Sequence, residues 1–68
     1  MLKVFEIDVY EVYEADAFDN LRELAGVYRN KQVARLALKE IERGIIIRTT
    51  YECYEGGEIE RSKGVEIN

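Results

Sequence analysis

One segment of this 68-residue chain has an unambiguous period, and it limits what the rest can fold into. From Asn30 to Arg43, NKQVARLALKEIER, the apolar residues Val33, Ala34, Ala37, Leu38 and Ile41 fall within an arc of roughly 140° at 100° per residue, as an amphipathic helix requires. Leu36 is the aliphatic residue outside that arc. Lys31, Arg35, Lys39 and Arg43 recur every four residues on the other side and form a basic stripe. Asn30 stands where an N-cap accepts from the first free N–H groups, and Gly44 follows Arg43 as a helix stop should. These signals predict a helix over 31–43.

On either side of this helix the pattern changes. Leu2 to Glu14, LKVFEIDVYEVYE, is rich in Val, Ile, Tyr and Phe, lacks glycine and alternates, so a strand is expected over 2–14. Phe5, Ile7, Val9 and Tyr13 share the face expected to cover the core. Val4, Glu6, Asp8, Tyr10, Val12 and Glu14 share the face expected to be partly wet. Asp16 and Asp19 have the spacing of a capping box, and Phe18, Leu21, Leu24, Ala25 and Tyr28 follow at helical intervals, which predicts a helix over 16–28. Continued without a break into 31–43, its apolar side would lie roughly 160° from that of the second helix, so a turn near 26–30 is expected.

After Gly44, strands over 45–54 and 58–67 flank Gly56-Gly57, a hairpin signal. A three-residue loop with Gly57 left-handed pairs Cys53 with Ile59, Ile47 with Val65 and Ile45 with Ile67, gathering the large aliphatics on one face. Burying three aliphatics at about 1.5–3 kcal/mol each outweighs the Glu52–Arg61 ion pair that a two-residue turn would form, worth about 0–1 kcal/mol. The expected fold class is α+β: a three-stranded antiparallel or mixed sheet with one or two helices on one face, in the order β-α-(α)-β-β.

A chain of this length forms one domain with a thin core, so support from a partner or a homodimer is expected. Cys53 is the lone cysteine and cannot form an internal disulfide. Without a signal-like segment or a long apolar run, the expectation is a cytoplasmic protein with no membrane segment. The net charge of −4 hides a segregation: residues 1–23 carry seven acids against two bases, 29–48 six bases against two acids, and 49–68 five acids against two bases.

Chemistry is sparse. There is no histidine to serve as general base, no nucleophile motif, no EF-hand-like spacing and no phosphate loop, so we expect no enzyme, no metal site and no cofactor. Two features remain. The basic stripe Lys31, Arg35, Lys39 and Arg43 suits a nucleic-acid-binding regulator. The order strand, two helices, hairpin is similar to a winged helix without its first helix, and Val33-Ala34-Arg35-Leu36-Ala37-Leu38 after Asn30 resembles the second helix of ribbon-helix-helix repressors. Against both, Glu11, Glu14 and Asp16 on the preceding strand, and Glu55, Glu58 and Glu60 at the hairpin tip, repel phosphate. The other feature is acid interleaved with tyrosine, in Asp8-Val-Tyr10-Glu-Val-Tyr13-Glu14 and Tyr51-Glu-Cys-Tyr54-Glu55. Tyrosine gives stiff contact area with a polar tip, and neighbouring carboxylates select a basic partner. The leading expectation is therefore a protein-binding module that occupies the basic surface of a partner through Asp8, Tyr10, Glu14 and Tyr54. In size and charge it is similar to the small acidic inhibitors and accessory proteins of phages and mobile elements. The alternatives are the nucleic-acid-binding regulator and a purely structural homo-oligomeric module.

Overall fold

The structure, a computed structural model, describes residues 2–16 and 21–67. The chain runs β1 (Lys3–Ala15), β2 (Leu21–Tyr28), α1 (Lys31–Lys39), β3 (Gly44–Tyr54), β4 (Ile59–Arg61) and β5 (Val65–Ile67). All five strands join one antiparallel sheet, with β1 between β2 and β3, and with β4 and β5 sharing the outer edge of β3. This replaces the expected three-stranded β-α-(α)-β-β arrangement: among the described residues the molecule is mostly sheet with one helix.

The largest correction is at 16–28, where a helix was expected and Leu21–Tyr28 is a strand. β3 hydrogen-bonds one edge of β1 from Lys3 to Glu14, which leaves the other edge of β1 with a row of open N–H and C=O groups. β2 takes that edge, from Tyr10↔Tyr28 to Ala15↔Leu21, with two register shifts on the way. Leu24 and Tyr28 fit helical spacing and strand pairing alike, with Ala25 passed over at a register shift, and the waiting edge decides between the two. Asp19 of the expected capping box lies outside the described residues.

α1 itself is as its cap foretells. Asn30 Oδ1 accepts from the backbone N–H of Gln32 at 2.8 Å and of Val33 at 3.1 Å. The regular turns end at Lys39, before the expected limit of 43, and Ile41 still packs on the core. Ala34, fully buried, meets Val12 and Ile46, also fully buried, with Tyr10, Tyr28, Ala37, Leu38, Ile41 and Ile67 around them.

That cluster reverses the expected orientation of β1. α1 covers the side that bears Glu6, Asp8, Tyr10, Val12 and Glu14, while Phe5, Ile7, Val9, Glu11 and Tyr13 lie on the helix-free side. Gly26 explains part of the choice. It stands opposite Val12, and a Cβ there would lie 2.6 Å from the Tyr28 hydroxyl, so the missing side chain lets the tyrosine ring lie along the strand under α1.

The last strand is broken in two. Gly57 has φ 89° and closes the hairpin, and Cys53 pairs with Ile59 as the three-residue loop requires. Past Arg61 the register slips by one, so that Arg48 pairs with Val65 and Ile46 with Ile67, in place of Ile47 with Val65 and Ile45 with Ile67. The Ser62 hydroxyl accepts from Thr50 N–H at 2.9 Å and Ser62 N–H donates to the Thr50 carbonyl at 2.8 Å, which holds the slip in place. A one-residue slip changes side-chain parity, and here it turns Ile67 into the cluster beneath α1.

Candidate functional site

β1 and β3 extend past α1, and on the helix side this extension is lined with acids. Glu6 pairs with Glu52 and Asp8 with Thr50 across the two strands, and Glu60 follows on β4 opposite Glu52. Three such carboxylates on neighbouring strands repel one another, and Lys3 relieves this by reaching Glu6 at 3.1 Å and Glu52 at 3.3 Å. Those two bonds hold the lysine pKa above its ordinary value. A register shift between Lys3 and Phe5 is what brings Lys3 onto this face. Thr50 Oγ1 donates to Asp8 at 2.6 Å, and Tyr54 Oη donates to Glu60 at 3.5 Å. Desolvation, then the charges of Glu52 and Glu60, raise the Tyr54 phenol pKa, so it remains a neutral donor at physiological pH.

The four residues expected to bind a partner all lie on the helix side of the sheet but do not form one patch. Asp8 is exposed and Tyr54 half-buried at the open end. Tyr10 packs against the core below α1, opposite Tyr28. Glu14 is exposed at the far end, where it lines a shallow depression with Ala15, Glu42 and Arg43. Since α1 lies over Val12, the helix separates Glu14 from Asp8. Of the alternative set, Lys31, Arg35 and Lys39 are exposed on α1, and Arg43, also exposed, lies beyond the end of the helix beside Glu14.

A polar network on the helix-free side was not anticipated. Glu11 is only 6% exposed, and its Oε1 accepts from Thr49 Oγ1 at 2.8 Å and from Arg61 Nη2 at 2.8 Å. Arg61 Nε also donates to Tyr51 Oη at 3.2 Å. Thr49 is fully buried. Burial and then the charge of Glu11 push the Tyr13 phenol pKa up. The sequence does carry a signal for this site: Glu11 interrupts the apolar series Phe5, Ile7, Val9, Tyr13. With both donors on one carboxylate oxygen, Glu11 ties β1 to β3 and β4 and acts as a structural clamp.

Among the described residues, no group of three or more Cys, Asp or Glu side chains is arranged to hold a metal ion. No described helix is long and apolar enough to cross a membrane. Cys53 is a free, half-buried thiol on the helix-free side, opposite Phe5 and Ile59. No known family, curated protein or solved structure matches this chain.

Proposed function

We propose that the protein is a non-enzymatic binding module whose acidic sheet end docks onto a basic surface of a protein partner, as an inhibitor or accessory protein would. One observation carries this reading: beyond α1, Glu6, Asp8 and Glu60 are exposed on one face beside Glu52 and Tyr54, and Lys3 among them is already shared by two carboxylates. A rigid two-strand platform with a neutral tyrosine tip offers charge for steering and flat area for contact. The contact set differs from the expected one in that Tyr10 serves the core and Glu14 stands apart.

Capture of partners from nuclease-treated lysate of the native cells by the tagged protein tests the proposal. Combined Glu6→Lys and Asp8→Lys changes are expected to weaken capture at least about tenfold, and capture should fall with added salt. Unchanged capture by the doubly substituted protein would overturn it. A second reading, nucleic-acid binding through Lys31, Arg35, Lys39 and Arg43, is favoured by the exposure of all four. Filter binding at two salt concentrations decides it, since phosphate contact at this stripe requires affinity that grows as salt falls.

A further inference from the structure

The two sides of the sheet are unequally covered. On the side away from α1, Phe5, Leu24, Val27 and Ile59 are 53%, 51%, 51% and 66% exposed. Half-buried Tyr13, Ile45 and Ile47 lie beside Leu24 and Val27 at one end and Cys53 beside Phe5 and Ile59 at the other, with Ile7, Tyr51, Val9 and the mutually paired Glu11, Thr49 and Arg61 between the two ends. The molecule measures 43 × 23 × 15 Å, a slab one helix and one sheet thick, and its buried apolar core is Val9, Val12, Ala34 and Ile46. Its surface is 5034 Å². A compact monomer of this mass has about 4,400 Å², so roughly 600 Å² is in excess. The two longer extents, 43 × 23 Å, bound the broad face at about 1,000 Å², and a stable interface takes about 800 Å² from each partner.

Charge selects what covers it. The strand acids Glu6, Asp8, Glu14, Glu23, Glu52 and Glu60 all lie on the helix side. On the helix-free side the described strand charges are Glu11 and Arg61, which neutralise each other at 2.8 Å, and Glu66. Two copies that each carry a net charge of −4 can therefore meet at this face without stacking like charge, with their acidic sides turned outward. We infer that the helix-free face is the contact between two copies of this chain, joined sheet to sheet about a twofold axis. The acidic end proposed to bind a partner stays free in such a dimer, so the two proposals stand or fall separately.

Sedimentation equilibrium over a concentration series tests the inference. The wild-type chain is expected at twice its 7.9 kDa mass, and the exposed-site double variant Val27→Lys/Ile59→Lys at the single mass, with association weakened at least about a hundredfold and an unchanged circular dichroism spectrum. Leu36→Lys, on the helix and 61% exposed in the wild type, should leave the dimer intact. A second measurement needs no variant: because Cys53 lies on this face, its modification by a thiol reagent should slow as the protein is concentrated. A wild-type chain that stays at the single mass, a dimer dissociated by Leu36→Lys and not by the double variant, or a Cys53 rate independent of concentration would each overturn the inference.

Discussion

On the α1 side of the sheet the deepest residues are Val12, Ile46 and Ala34, closed off by the helix and two tyrosines, whereas on the opposite side they include Thr49 and Glu11, joined to each other and to Arg61. The first side draws its stability from apolar area removed from water, which is non-directional and depends on volume. The second relies on directed bonds between polar groups that would otherwise be stranded, which is sensitive to the loss of any one member. A thin sheet thus gains cohesion on both faces while only one carries a helix.

The comparison breaks most sharply at Ile46. Ile46→Ala should lower unfolding free energy by about 3–4 kcal/mol in urea titrations. A domain this size has about 3–10 kcal/mol in total, so the variant should lie close to unfolding. Ile59→Ala on the other face should stay within about 0.5 kcal/mol at concentrations where single copies dominate.

The clamp comes next. Arg61→Ala should lower the urea midpoint, because the nearly buried Glu11 carboxylate loses its charged donor; half-exposure of the arginine side chain and solvent screening keep the effect below that of a fully buried pair and below that of Ile46→Ala. Replacing Glu11, Thr49 and Arg61 together by apolar residues of similar size should recover much of that loss, which would separate the cost of an orphaned charge from the worth of the network.

The smallest effect concerns alkaline pH. Burial, then Glu11, raises the Tyr13 pKa, and hydrogen bonds to Glu6 and then Glu52 raise that of Lys3. A folded-state pKa above the unfolded value means stability that is complete below the ordinary value, near 10, and lost as pH rises through the folded one. Denaturant midpoints should therefore fall as pH rises above about 10. In Glu11→Gln the Tyr13 phenolate, followed by ultraviolet absorbance, should appear at lower pH.

What could be read in advance was local. Asn30 as cap, Gly57 as the left-handed corner and Cys53 opposite Ile59 each follow from a few adjacent residues. What could not be read depended on distant chain. β2 exists because β1 has an edge to fill, and nothing within Leu21–Tyr28 reveals that edge. The outward and inward faces of β1 were exchanged because α1 settles on Val12 and Ile46, which come together only once β1 and β3 have paired. Of the candidate residues, Asp8 and Tyr54 lie on one side of the sheet, where the alternation of their strands puts them apart from the series Phe5, Ile7 and Val9. The same pattern could not show that α1 would seal Tyr10, or that Glu11 would find an arginine fifty residues later.

The interruption between Arg61 and Val65 reaches beyond its own size. Ile59 and Ile67 are separated by an even number of positions, yet they end on opposite sides of the molecule because one extra residue is taken up between β4 and β5. Were the β4 register to run on unbroken with every residue kept, inside and outside would be exchanged: Ile67 would lie opposite Ile45 on the helix-free side and Glu66 opposite Ile46 against the helix, whereas removing the extra residue would leave Val65 opposite Arg48 and Ile67 opposite Ile46. The inward turn of the closing segment is thus specified by one surplus position as much as by residue type.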